Sequence, residues 1–565
     1  MKRSHSSRKN FVADFETTTD PKDCRVWAWG LCDVSKVEST EYVDHEMPIG
    51  IDIASFLDVC SSENANIYFH NLAFDGSFIV DYLLRNGYKH VKDDPKANEF
   101  ATLISKLGMW YSIRVKWDNG TISEFRDSYK KIPLRVEEIP KSYGLKETKL
   151  DLDYDDNASR PIGHELTEEE IRYLKADIVI VAKVIALQLE QGMTKLTVGS
   201  DSLYEYKKIV GNKMFAKLFP TFNLSMDAEV RQAYRGGFTY AADKYKGRIV
   251  GPVRVYDVNS LYPSVMRFCP LPYSLPQFYP AGPVKNPEYP LWISSITFTA
   301  KLKKDHIPCI QVRNSSRFVM TEYVKVIKEP VTLTCTNVDF DLWQSQYDIN
   351  IISFNGTWQF KAKMGMFDEY IDKWMAVKAV STGGLRQIAK LHLNSLYGKF
   401  ATNPNVTPKI PVLEEDNIVH LRADAEEMRK PVYTPVGVFI TAWARDKTIR
   451  AAQENFDIFA YADTDSLHLI TDHDPDNLEI HPTELGKWAN EANFKEGIFK
   501  RAKQYTELDY DGIYHTHIAG LPKDAQRYVK FDDYFEGREF DNKLVPQRVP
   551  GGIVLRKTKF TLDIM

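Results

Sequence analysis

Two groups of acidic residues, far apart in the chain, stand at spacings that could hold divalent cations. Asp14 and Glu16 lie in Ala13-Asp14-Phe15-Glu16-Thr17, behind Phe11-Val12-Ala13, a pattern that predicts a short buried strand. Alternate residues of a strand point to one face, so both carboxylates project together. Asp75 follows in His70-Asn71-Leu72-Ala73-Phe74-Asp75, at the end of a second expected strand, Asn66-Ile67-Tyr68-Phe69-His70. Thr167-Glu168-Glu169-Glu170 makes a capping box for a long helix over about 167–191, and Gly192 is its natural stop. On that helix Tyr173 and Asp177 are four apart and share a face. Three aspartates, a glutamate and a tyrosine are thus expected to converge from two strand ends and a helix. Gathered carboxylates repel one another unless cations neutralise them, and all-oxygen ligands suit Mg²⁺ or Mn²⁺. Two such ions about 3.5–4 Å apart clamp the attacking water and the leaving oxygen of a phosphodiester. Tyr173 would orient the water. Each element alone is commonplace; their occurrence together and in order carries the reading.

The second group begins at Val255-Tyr256-Asp257-Val258-Asn259-Ser260-Leu261-Tyr262-Pro263, where an expected strand over 254–258 delivers Asp257 to a turn at Pro263. Far downstream, Asp463-Thr464-Asp465 sits between Ile458-Phe459-Ala460 and Leu467-His468-Leu469-Ile470. Apolar strands on both sides of two acids predict a hairpin with an acidic tip. Between these segments, Arg386, Lys390, Asn394 and Tyr397 fall at i, i+4, i+8 and i+11 of an expected helical block over 367–397. At 3.6 residues per turn they form one stripe. Two cations, an amide and a phenol in line suit a nucleoside triphosphate, the cations on its phosphates and the phenol against a base pair.

The elements that must position these groups imply several domains, because 565 residues exceed what one core supports. The first 190 or so residues alternate strands and helices, an α/β pattern, and Gly199-Ser200-Asp201-Ser202 reads as a boundary. An irregular Pro-rich stretch is expected over 270–290, and one more strand after the Pro and Gly residues of 546–552. The apolar run 178–189 is broken by Lys183 and is too short to span a bilayer. Lys2, Arg3, Arg8 and Lys9 lead into no apolar segment, so a basic tail is expected in place of a secretory signal. The six cysteines show no C-x-x-C pair and no zinc spacing; scattered thiols fit a reducing compartment and no redox role. A net charge of −4 neither announces nor excludes nucleic-acid binding, since phosphate contacts depend on local patches.

The second group, with Lys390-x-x-x-Asn394-Ser395-x-Tyr397-Gly398 and Tyr461-x-Asp463-Thr464-Asp465-Ser466, resembles the polymerase motifs of the family B DNA polymerases. The first group resembles the three exonuclease motifs of proofreading domains with the DEDD ligand set and a tyrosine, an RNase H-like fold. The segments Thr197-Val198-Gly199-Ser200-Asp201-Ser202-Leu203, Tyr234-Arg235-Gly236-Gly237-Phe238, 437–445 and 549–555 extend the resemblance over nearly the whole chain. It is nearest to the protein-primed phage polymerases of the phi-29 type.

The resemblance implies an α+β multidomain fold. An N-terminal RNase H-like α/β exonuclease domain (1–195) precedes a right-hand polymerase with two inserted terminal-protein regions. The palm would occupy 196–268 and 434–520, the fingers 366–402, the thumb 521–565 and the insertions 269–365 and 403–433. The first insertion would meet the priming protein, and the second would encircle template and product, giving processivity and strand displacement. Asp257, Asp465 and the Val258 carbonyl would hold two metals with support from Asp463; Ala462 stands where relatives often have Cys or Gly. Tyr262 would exclude a 2′-hydroxyl, Lys378 and Lys390 would contact the triphosphate, and Lys503 of Lys503-Gln504-Tyr505 would approach the primer terminus. Lys149 would assist exonucleolysis, with Asp151 near its metals. DNA contacts would come from Thr17, Asn71, Phe74, Ser128, Tyr129, Tyr154, Tyr234, Gly236, Gly237, Ser260 and Tyr505. The expected partners are DNA template and primer, deoxynucleoside triphosphates and a terminal protein, for a monomeric viral enzyme of the host cytoplasm. A family B polymerase confined to nucleic-acid primers is the alternative, and a catalytically dead DNA-binding scaffold is a third reading that the intact acids oppose.

Overall fold

The computed structural model describes residues 8–37, 47–150, 160–312 and 323–562. The expected contributions of Asp151 and Tyr154, and of Lys2 and Arg3 in the basic tail, lie outside the described residues.

The N-terminal part is built on an eight-stranded mixed sheet whose centre is Lys9–Thr17, paired antiparallel with Val26–Asp33 and parallel with Ala65–Phe69, which in turn pairs parallel with Ile122–Asp127. Alternation along Lys9–Thr17 splits its residues between two cores. Val12 joins the core under the helix Glu168–Glu190, whereas Ala13 and Phe15 join the one under Ile53–Ser61 and Leu72–Arg85. The capping box at Thr167 is present: Thr167 Oγ1 accepts from Glu170 N at 3.2 Å, and Glu170 Oε2 accepts from Thr167 N at 3.0 Å.

The expected boundary at 199–202 is instead the first turn of a helix, Val198–Val210, because Thr197 caps it by accepting from Ser200 N. A buried ion pair bridges this point. Lys131 Nζ donates to Asp201 Oδ2 at 2.7 Å and to the Met193 and Lys195 carbonyls. An unpaired charge there would be costly, so the joint between the N-terminal sheet and the rest is fixed.

The remainder is organised by a five-stranded antiparallel sheet in the order Trp488–Phe494, Val253–Val258, Ser466–Ile470, Phe459–Asp463 and Thr239–Ala241. A four-stranded sheet (Ile249–Val250, Glu496–Arg501, Gln504–Leu508, Tyr514–Ile518) lies beside it, and the helices Asp368–Val380 and Gly383–Lys399 form the block expected over 367–397. The turn expected at Pro263 falls earlier, at Asn259 and Ser260, and Pro263 follows it. The proline lies in the first turn of the helix Leu261–Phe268, where a residue without an N–H costs nothing. The stretch 270–290 is not irregular throughout, since Leu271–Tyr279 is a strand at the edge of a second four-stranded sheet. Edge placement, and a register break between Tyr273 and Gln277 that takes up Pro276, accommodate its prolines.

The strand expected after 546–552 is Gly552–Thr561, and it forms a two-stranded hairpin with Glu539–Val549, which itself contains Pro546. Val549, Ile553 and Val554 are buried in the N-terminal core, against the helix Leu72–Arg85. Gly551 and Gly552 make this possible: a Cβ on the first would meet the Cys24 carbonyl at 2.3 Å, and one on the second the Phe78 ring at 2.6 Å. Short paired strands within 403–433, Lys409–Leu413 with Val419–Ala423, reach the same region, where Arg85 donates to Asn417 Oδ1 at 2.6 Å. Among the described residues, no helix is long and apolar enough to cross a membrane. All six cysteines are free, and five are buried.

Candidate functional sites

In the N-terminal site, Asp14, Asp75, Asp177 and Lys149 line one cleft of about 270 Å³ with His70, Asn71 and Phe74. Asp75 differs from expectation in its origin: it stands in the first turn of the helix Leu72–Arg85 and not at a strand end, because Asn71 turns left-handed (φ 78°) and starts the helix. Burial and the neighbouring Asp177 push the Asp14 carboxyl up to about 7. Burial and the other acids raise Glu16, and burial and Asp14 raise Asp75. Four acids that penalise one another's ionisation define a site short of positive charge. Lys149 supplies part of it, with Nζ 3.1 Å from Asp177 Oδ2 and 5.9 Å from the centre of the buried Tyr173 ring. Its ammonium is destabilised by burial but held charged by Asp177 and Asp14, for a net rise. The segment bearing Lys149 is anchored to the helix of Asp177 by a second, buried ion pair between Glu147 and Lys183.

Ser128 and Tyr129 flank this cleft through His70. Ser128 Oγ is 3.0 Å from His70 Nδ1 and donates to the Phe69 carbonyl, while the Tyr129 ring, largely exposed, lies 5.6 Å from the imidazole. Asn71 N donates to Asp127 Oδ1 at 3.2 Å, and Thr17 is buried at the end of its strand.

In the second site strand register places the acids. Asp257 pairs with Ser466, Asp463 pairs with the same serine from the other side, and Val258 N donates to the Asp465 carbonyl at 2.9 Å. Burial and Asp465 push Asp257 up to about 7, and burial and Asp463 raise Asp465. Lys503 Nζ donates to Asp463 Oδ1 at 2.6 Å, and Thr239 Oγ1 donates to the same oxygen at 3.1 Å. Tyr505, behind the lysine, stacks on His517.

Arg386, Lys390 and Asn394 are exposed on one side of Gly383–Lys399, as their spacing requires, with Tyr397 half-buried beyond them. Lys378 joins the patch from the preceding helix. Burial first, then Lys390 and Arg386, lower its ammonium, and its Nζ lies 3.3 Å from Ser260 Oγ, three residues past Asp257. The Tyr262 and Tyr397 rings stack with centres 3.9 Å apart; burial and then Tyr397 raise the hydroxyls of both Tyr234 and Tyr262. Gly237 has no room for a side chain, since a Cβ would meet Thr464 Oγ1 at 2.6 Å. The residues that hold this junction escaped the sequence reading. Arg445 donates to the carbonyls of Arg235 and Gly236 at 2.7 and 2.9 Å and is paired with buried Asp339. An arginine inside an apolar helical run, Trp443-Ala444-Arg445-Asp446, was the available signal.

Among the described residues, no three His, Cys, Asp or Glu side chains are drawn tightly enough together to hold an ion by themselves. Asp14, Asp75 and Asp177 line the cleft, Glu16 is buried behind it, and Asp177 Oδ1 is buried with no hydrogen-bond partner among the described residues. An all-oxygen donor set with mutually raised carboxyls and an unpartnered buried oxygen fits a hard divalent cation.

Two segments, residues 58–162 and 155–481, match the family of DNA polymerases of type B, organellar and viral. The chain belongs to that family. The DNA polymerase of Bacillus phage M2 is 41% identical over 580 residues, covering 98% of this chain and 100% of the relative. That of Bacillus phage phi29 is 40% identical over 583 residues, 99% and 100%. A solved structure of phi29 DNA polymerase complexed with primer-template DNA and incoming nucleotide substrates matches with a TM-score of 0.92 at 39% identity, covering 99% of this chain and 100% of that one. This polymerase is therefore a DNA-directed replicative enzyme of the viral type that carries a 3′→5′ proofreading exonuclease in the same chain. Enzymes of its family are metal-dependent.

Proposed function

We propose that the N-terminal cleft is the editing site and the five-stranded sheet the synthesis site of a protein-primed, processive, strand-displacing polymerase. The observation that carries the second assignment is that Lys378 spans from the cationic patch to Ser260, beside the strand that presents Asp257. A triphosphate held by Lys378, Arg386 and Lys390 would thereby lie over Asp257 and Asp465, with Asn394 beside it and its sugar and base against the Tyr262–Tyr397 stack. Asp257, Asp465 and the Val258 carbonyl would hold divalent ions there, with Asp463 kept in place by Lys503 and Thr239; Asp14, Glu16, Asp75 and Asp177 would hold them in the editing cleft. Mg²⁺, two ions per site, is the expected occupant, with Mn²⁺ able to replace it. Such ions neutralise the phosphate oxygens and activate the attacking oxygen. Tyr173 and Lys149 would orient the water in the editing cleft, and Thr17, Asn71, Phe74, Ser128 and Tyr129 would guide a single strand into it. Tyr234, Gly236 and Gly237, held by Arg445, would receive the primer end between the sites, with Tyr505 and Lys503 at its terminus.

The boundaries given above for palm, fingers, thumb and two insertions are the proposed division of the chain. A likeness that runs the full length of phage polymerases supports protein priming, and host cytoplasm is the matching location. With Mg²⁺, the purified protein is expected to extend a primed template and to degrade a single strand from its 3′ end. Asp465→Ala should abolish extension alone. Loss of both activities in a folded variant would refute the division into two sites. Attachment of a deoxynucleotide to a candidate terminal protein tests the priming mode; extension of oligonucleotides only would favour the alternative enzyme.

A further inference from the structure

The strand that follows Lys503 does not belong to the sheet that presents the aspartates. Gln504–Leu508 pairs with Glu496–Arg501 and Tyr514–Ile518, and no backbone ladder joins it to Phe459–Asp463. Lys503 nevertheless reaches across this seam to Asp463, from a left-handed backbone (φ 60°) that a lysine rarely adopts. Backbone joins the two sheets on one side, where Val250 runs on to Val253 and Phe494 to Glu496; along Gln504–Leu508 itself, side chains set the relation to the aspartate hairpin.

Tyr461 and His468 are cross-strand partners in the hairpin that carries Asp463 and Asp465. The Tyr461 hydroxyl accepts from Lys503 N at 2.9 Å, and His468 Nδ1 lies 2.7 Å from Glu507 Oε1, four residues along the lysine's strand. Both members of the second pair are 3% exposed. The Tyr505 ring sits between the two contacts, 4.7 Å from Tyr461 and 5.1 Å from His468. Apolar residues would suffice to adhere the sheets. A carboxylate and an imidazole buried together are tolerated only in a hydrogen-bonded geometry, so they fix register where rings alone permit sliding.

We propose that the buried His468–Glu507 pair is a positioning device for DNA synthesis, setting the register of Gln504–Leu508 against the aspartate hairpin and so holding Lys503 on Asp463. The proposal rests on the assignment of Asp463 and Lys503 to the synthesis site. It assigns Glu507 and His468 as positioning residues that touch neither substrate nor metal.

The test compares Glu507→Ala, Glu507→Met and Glu507→Gln, each in the natural chain and with Lys503→Ala. Single-nucleotide extension gives kcat and the KM for the nucleotide, and degradation of a single strand in the same preparations reports an intact fold. Glu507→Ala and Glu507→Met should lower kcat for extension about tenfold, the scale of losing an outer-shell partner, with the nucleotide KM and the exonuclease unchanged. Glu507→Gln, which keeps an acceptor oxygen, should restore most of the loss. With Lys503→Ala already present, Glu507→Ala should cost nothing further. Equal behaviour of the Met and Gln variants, a loss that simply adds to that of Lys503→Ala, or a parallel fall in exonuclease would overturn the proposal. If Lys503→Ala itself leaves extension unchanged, the site assignment fails first and the inference falls with it.

Discussion

In the proposed editing cleft four acids arrive on three elements: Asp14 and Glu16 from a strand, Asp75 from the first turn of one helix, Asp177 from the middle of another. In the proposed synthesis site Asp257 and Asp463 stand on the two strands that flank Ser466–Ile470 in one sheet, both in register with Ser466, and Asp465 sits in the turn between Asp463 and Ser466, its carbonyl accepting from Val258 N. The editing acids depend on how helices seat against a sheet, hence on core packing; the synthesis acids depend on backbone register. Their lysines reverse this order. Lys149 is tied by Glu147–Lys183 to the very helix that carries Asp177, whereas Lys503 crosses between two sheets.

The sharpest way to break the comparison is to remove one acid from each site. Asp14→Ala should depress exonuclease and Asp257→Ala extension, each by roughly 10³-fold with the other activity intact, since electrostatic stabilisation dominates phosphoryl transfer; assays of both activities on one preparation decide it. The lysines should matter less. Lys149→Ala and Lys503→Ala are each expected to cost about 10–100-fold in their own activity, as an outer-shell partner does, measured as kcat under substrate saturation.

Core damage should separate the sites further. Leu174, fully buried between Asp177 and Tyr173, packs over Gly30 in the central sheet. Leu174→Ala should destabilise by about 2–5 kcal/mol in chemical denaturation and reduce exonuclease, while extension by the folded protein stays near normal. Equal loss of both activities would erase the proposed contrast. The smallest effect is expected at the helix start. Burial opposes ionisation of Glu170, but the Thr167 N–H, Arg160 and His164 hold its carboxyl down to about 2. A depressed folded value stabilises above the unfolded value of about 4.3 and is lost as pH falls toward 2. The melting-temperature advantage of the natural chain over Glu170→Gln should therefore shrink between those limits.

The parts legible in the sequence were those governed by short periods. Asp14 with Glu16, the Arg386–Tyr397 stripe, the Thr167 capping box and the hairpin around Asp463-Thr464-Asp465 each follow from a two-residue or 3.6-residue repeat over a few residues. Asp75 was misplaced because Asn71 starts a helix through a left-handed turn that composition does not announce. Leu271–Tyr279 was hidden by prolines that only an edge strand tolerates, and knowing the edge requires knowing the sheet. Arg445–Asp339, Lys131–Asp201 and His468–Glu507 join residues far apart in the chain, and no local pattern pairs them.

The C-terminal hairpin gives the molecule a timetable. Val549, Ile553 and Val554 complete the hydrophobic core around Phe78 and Val80, yet they leave the ribosome long after those residues do. During synthesis the helix Leu72–Arg85 must wait with the apolar surface around Phe78 uncovered, the condition in which nascent domains are most prone to aggregate. The N-terminal half is thus finished only after residues several hundred positions further on have been made, and a chain stalled before Val549 would carry the first group of acids without their completed core.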